Sequence, residues 1–257
     1  MSPDQVVYDL DGFLPFINLG PISLPTYHIW ISLTFSAALL YWLTRARDQK
    51  MSSQMVLDLS IVVMVLGFIG GRVAHVIFED FAFYRSHPRA IFQFWDGGFV
   101  FYGGALLAGL GCFILFKLRR ESARDWLDLF APVGAIGYAS GRIACWLTGC
   151  CFGSVCYLTD RFAFQHPTQL YASIWELGVF FVLLIAEKRK WVRARGGLFF
   201  TWVFLHAVGR IIMESLRIDD RGAAPLGISI STWISLILIG WCAKFWLKSK
   251  AKKRELK

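Results

Sequence analysis

Three arginines, Arg72, Arg142 and Arg210, each follow a glycine inside a long apolar stretch of this 257-residue chain. An arginine near a bilayer centre costs ~2.5–3.5 kcal/mol on insertion scales, so a buried one needs a compensating partner. Two acidic residues are close enough in sequence to serve, Glu79 and Glu214. Three guanidinium groups with two carboxylates leave an excess of positive charge. Guanidinium also matches phosphate through planar, bidentate hydrogen bonds. The chemistry expected of these residues is therefore a cationic pocket for a lipid phosphate. The structural alternative, ion pairing within the membrane, applies to each arginine taken singly.

Other polar residues fall beside them at helical spacing. Arg72, His75 and Glu79 share one helix face, as do Tyr138, Arg142 and Trp146, and His206, Arg210, Glu214 and Arg217. His75 and His206 are expected to hydrogen-bond within these stripes. Neither HxxxH nor CxxC spacing occurs, and no metal site is expected. Cys150, Cys151 and Cys156 cluster in one segment; Cys150 or Cys151 with Cys156 is the candidate structural disulfide, a reactive thiol being the alternative. Cys145 is expected to pack within its helix.

The elements that must position these groups are membrane helices. Hydrophobic residues make up 56% of the chain, above the ~45–50% of soluble domains, and the mean hydropathy is +0.51. Seven apolar spans are expected, at 25–44, 55–78, 99–116, 126–147, 168–186, 197–216 and 227–247, each near the ~20 residues that cross a bilayer. The fold class is thus all-α, one polytopic domain over residues 1–257, with outer segments at about 79–98 and 148–167 and a basic tail at about 248–257. Nineteen lysines and arginines lie on one side of these spans and five on the other. By the positive-inside rule the N-terminus is outside and the C-terminus cytoplasmic. The net charge of +9 is accordingly topological, and no nucleic-acid partner is expected. The acidic N-terminus lacks the pattern of a cleaved signal peptide, so the first span is expected to remain as an anchor. On this topology the three arginines, Tyr27 and Tyr102 fall at similar depth in the outer half.

The motifs resemble those of the prolipoprotein diacylglyceryl transferases of bacterial inner membranes. The resemblance runs through Leu19-Gly20-Pro21, Gly70-Gly71-Arg72, Trp95-Asp96-Gly97-Gly98, Tyr102-Gly103-Gly104, Gly141-Arg142-Ile143, His166-Pro167-Thr168-Gln169-Leu170-Tyr171 and Gly209-Arg210 with Glu214 and Arg217. It implies a seven-helix enzyme open to the outer leaflet that needs no cofactor. Such an enzyme moves the diacylglyceryl group of phosphatidylglycerol onto the lipobox cysteine of a preprolipoprotein signal peptide, forming a thioether and releasing glycerol phosphate. It implies Arg142, Arg210 and Tyr102 as catalytic residues. Tyr27, Arg72, Glu214, His166 and Gln169 would contact substrate, Glu214 by orienting Arg210. The sequence departs from the family at three places. Tyr102 stands where a histidine is common, Cys145 where asparagine is usual, and Cys150 where an acidic residue is usual. Tyrosine, with an ordinary pKa near ~10, is a weak base toward a thiol of ~8.5. Two further readings stand beside this one: a divergent relative using the same lipid pocket on another acceptor, and a membrane thiol–disulfide protein built on the cysteine cluster.

Overall fold

The computed structural model describes residues 6–8, 14–19, 22–79, 81–94, 97–159, 162–192, 194–217 and 225–255. Seven long helices carry the architecture: α1 (Thr26–Asp48), α2 (Ser53–Phe78), α4 (Phe101–Arg119), α5 (Ala123–Leu147), α6 (Thr168–Lys188), α7 (Gly197–Ser215) and α8 (Ile230–Glu255), with a short α3 (Phe81–Ser86) between α2 and α4. Each expected span coincides with one of the long helices. Six of the seven are long and apolar enough to cross a membrane; α5, which carries Pro132, four glycines or serines between Gly134 and Gly141, and Arg142, is not among them. Side chains such as Leu40, Leu106 and Phe113 stay more than half exposed along these helices, as lipid-facing positions do.

Two small sheets qualify the all-α expectation. Strands β2 (Phe16–Leu19) and β3 (Ile22–Pro25) pair antiparallel just before α1. β1 (Val6–Tyr8) runs parallel to β5 (Phe162–Gln165), which pairs antiparallel with β4 (Val155–Thr159).

The contacts divide the chain into two compact units, Met1–Tyr41 with Leu127–Lys257, and Trp42–Trp126. In the second, α2 and α4 meet along a glycine seam. A Cβ on Gly103 would lie 2.2 Å from the Ala74 Cβ and 2.6 Å from the Gly70 carbonyl oxygen. Only backbone-to-backbone contact fits there, the small-residue packing of membrane helices. Ser52 caps α2 by accepting from the Met55 amide.

In the first unit the core lies among α5, α6 and α7. Ala131, Ala135, Val179, Leu183, Ala186 and Leu198 are buried together, flanked by Trp175 and Trp202. Asp128 of α5 joins this core to α7 by accepting from the Gly196 and Phe199 amides at 2.7 and 3.0 Å. A carboxylate there satisfies otherwise orphaned amides and offsets the positive end of the helix. Trp30 and Thr34 of α1 hydrogen-bond Ser140 of α5 at 2.7–3.1 Å, a polar clamp between two otherwise apolar faces.

Candidate active site

Arg142 lies five residues before the end of α5. Its Nε is buried and has no hydrogen-bond partner, and no carboxylate pairs with it among the described residues. A buried guanidinium donor left this way costs free energy until an acceptor arrives. Tyr27, in the first turn of α1, is within electrostatic reach of Arg142. An apolar cleft of about 440 Å³ lies between α1, α5 and α6. It follows α5 from Ile143 to Ile136 and α1 from Thr34 to Tyr41, with Leu177 and Phe180 of α6 closing one wall. At 1.5 Å per residue the α5 wall is about 10 Å long.

Arg210 is engaged from its own helix and from α8. Its Nη2 donates to Glu214 at 3.2 Å and to the buried Ser231 hydroxyl at 2.5 Å. The i, i+4 pairing with Glu214 is the one the sequence stripe predicts. Beside it a narrow cavity is lined by Tyr138, Glu176, His206 and Arg210. His206 differs from its expectation. Rather than bonding along its own stripe, it pairs with Glu176 of α6 at 2.5 Å, while the Trp202 indole donates to the other carboxylate oxygen at 3.3 Å. The sequence reading missed Glu176, although it is the one charged residue in the expected span 168–186, and such residues mark functional or tightly paired positions.

Arg72 and Tyr102 belong to the other unit. Arg72 is 7% exposed, and its guanidinium donates to five backbone carbonyls, those of Ile91 and Ala90, of Gln93, and of Gly97 and Gly98. Five donors meet five acceptors, which uses the whole capacity of the group. The rings of Tyr84 and Phe99 lie over it at 5.3 and 5.9 Å. Glu79 takes His75 as its partner instead of Arg72. Tyr102 is 41% exposed in the first turn of α4, its ring edge-on to Phe101. The motif residues Gly20, Pro21, Trp95 and Asp96 lie outside the described residues.

The cysteine turn is built by the start of α6. Past Leu147 the chain reverses through Gly149 and Cys151, both with positive φ, 72° and 68°. Such a φ is unstrained for glycine and costs a non-glycine residue ~1–3 kcal/mol. What holds it is backbone capture. The Thr168 hydroxyl donates to the Cys151 carbonyl at 2.8 Å, and the Gln169 amide donates to that of Cys150. Thr168 and Gln169 are fully buried, so Gln169 contacts the turn. His166 accepts from the Gly153 amide through its carbonyl and places its ring 3.4 Å from the Tyr171 hydroxyl.

Cys150 and Cys151 carry free thiols. The expected disulfide of either with Cys156 falls outside the described residues, because the Cys156 side chain does. The reversal carries both thiols back over the helix end toward Cys145, and the three sulfurs lie within 4.8 Å of one another. Hydrogen bonds from the Cys145 and Cys150 thiols hold the Cys151 thiol well below its ordinary value, and the Arg142 and Arg217 charges add to this against the effect of burial. The sequence carried the signal for this convergence. Cys145 and Cys150 are five apart across a glycine, the spacing at which a helix end folds back on its last turn.

Fold and site together define a mainly helical protein with helices able to cross a membrane, buried arginines and an apolar cleft among its helices. Residues 15–247 match the family model of prolipoprotein diacylglyceryl transferase, and the chain belongs to that family. Among its relatives, the phosphatidylglycerol–prolipoprotein diacylglyceryl transferase of Pediococcus pentosaceus is 29% identical over 237 residues, covering 86% of this chain and 84% of that protein. The proteins of the same name from Streptococcus pneumoniae and Streptococcus agalactiae are 28% and 29% identical, covering 87% of this chain and 89% and 90% of theirs.

Proposed function

We propose that this protein transfers the diacylglyceryl group of phosphatidylglycerol to the lipobox cysteine of preprolipoproteins, forming a thioether and releasing glycerol phosphate. The observation that carries the reading is Arg142, whose buried Nε has no hydrogen-bond partner. The lipid phosphate accepts from Arg142 while an acyl chain lies between α1, α5 and α6. Tyr27 lies within electrostatic reach of Arg142. As the acceptor sulfur attacks the glyceryl carbon, the carbon–oxygen bond to phosphate breaks and charge builds on the departing phosphomonoester. A fixed guanidinium aimed at that charge stabilises the transition state more than the ground state. Arg210, held by Glu214 and Ser231, is the second cationic contact. Arg72 fixes residues 90–98 within its own unit.

The protein crosses the bacterial inner membrane seven times, with its N-terminus outside and the site open to the outer leaflet. Its signal-peptide acceptors arrive from that side. Expression in cells depleted of their own transferase tests the activity. Preprolipoprotein should mature to the diacylglyceryl form; its persistence unmodified beside stably expressed protein would rule the reading out.

A further inference from the structure

The reading of Arg142 leaves unused the densest group of soft ligands among the described residues, the thiols of Cys145, Cys150 and Cys151. Each is partly buried, and all three sulfurs lie within 4.8 Å of one another. A tetrahedral zinc ion, with Zn–S near ~2.3 Å, sets its sulfurs ~3.8 Å apart, so a contraction of ~1 Å closes the triad around one ion. All-sulfur donor sets select thiophilic ions such as zinc over calcium or magnesium.

The surrounding chain is arranged to keep the sulfurs together. Gly149 and Cys151 reverse the backbone in the left-handed region. Thr168 and Gln169 hold the carbonyls of the two adjacent cysteines, leaving their side chains directed at Cys145. Thr148 adds a hydroxyl donor 3.9 Å from the Cys150 sulfur. Three thiols can form at most one disulfide and leave one sulfur over, whereas one ion uses all three. Three thiolates on a dication leave one negative charge, and Arg142 and Arg217 are within electrostatic reach of Cys151 to balance it.

We propose that Cys145, Cys150 and Cys151 bind one zinc ion as three thiolates, with the fourth coordination position open. Three protein ligands and an exchangeable fourth position are the arrangement of catalytic rather than structural zinc. Resting on the transferase reading above, that position takes the sulfur of the acceptor cysteine. Coordination to zinc releases the thiol proton. The zinc-held sulfur then attacks the glyceryl carbon. A carbon–sulfur bond forms, and the carbon–oxygen bond breaks with its electron pair leaving on the phosphate oxygen. The released phosphomonoester takes up a proton equivalent to the one lost, and zinc keeps its oxidation state. The ion thereby releases the thiol proton without a basic side chain, in a chain that carries Tyr102 where a histidine is common.

The test uses the full chain purified in detergent under reducing conditions. Elemental analysis should find one zinc per chain. Cobalt substitution should give sulfur-to-cobalt charge-transfer absorption with tetrahedral d–d bands, a readout that reports sulfur ligands without any variant. Cys150→Ser and Cys145→Ser should weaken zinc binding by at least the ~10–100-fold lost on removing a mere outer-shell partner. A lipobox peptide should shift the cobalt bands, and its Cys→Ser counterpart should not. Metal-free wild-type protein, full zinc in either variant, or bands that ignore the cysteinyl peptide would overturn the proposal. Zinc-free protein that still lipidates preprolipoprotein overturns it while leaving the transferase reading standing. Zinc held by three thiols in a chain that lipidates nothing supports the metal site and removes the transferase reading instead.

Discussion

Arg142 and Arg72 share a Gly-Arg dipeptide and an apolar setting, yet their guanidinium groups are used differently. Arg72 spends all five donors on the carbonyls of residues 90–98, whereas the Arg142 Nε is buried without an acceptor. Two outcomes separate the roles. Arg142→Ala should lower kcat/KM for phosphatidylglycerol by ~10²–10³, the loss seen when one preorganised donor to a developing anion is removed, with little change in thermal stability. Arg72→Ala should act on stability first, because five carbonyls lose a charged donor at once; a lowered melting temperature in detergent is the measurement. Both arginines were legible in the sequence as buried cations, and so was the Arg210–Glu214 pair. Their division of labour was not legible. It depends on carbonyls eighteen to twenty-six residues away returning to Arg72, and backbone groups carry no residue-specific signal. Glu176 and His206 were hidden for a related reason. They lie thirty residues apart on different helices, beyond the reach of an i, i+4 stripe.

At the scale of elements, hydropathy located all seven long helices, six of them to within four residues at either end, while α8 runs on to Glu255, eight residues past its expected end. The strands escaped because β4 and β5 are five and four residues long and sit in an aromatic segment that suits a membrane interface equally well. The contacts between elements rest on small groups. Gly103→Leu should separate α2 from α4, since even a methyl group would stand 2.2 Å from Ala74; a sharp fall in folded yield and melting temperature is expected. Asp128→Ala should cost ~1 kcal/mol, the usual loss on removing a side-chain cap. Thermal unfolding of the two proteins in the same detergent reads the difference, and Asp128→Asn should recover part of it.

For the whole molecule, charge and hydropathy say more than packing does. The long helices keep many large apolar side chains exposed, Leu106 at 76% among them, and the basic residues gather at alternate helix ends. A reporter fused after residue 257 should be active only in the cytoplasm, and one placed at the N-terminus only outside. The opposite pair of signals would invert the topology and move Arg142 to the inner-leaflet side. The cysteine turn also bears on how such a chain diversifies. Because Thr168 and Gln169 grip main-chain oxygens of Cys150 and Cys151, the path of the turn does not depend on which side chains it presents. Positions 145, 150 and 151 form a socket with exchangeable contents: a lineage can trade asparagine and acid for thiols there, and change the chemistry on offer, without having to reinvent the fold around it.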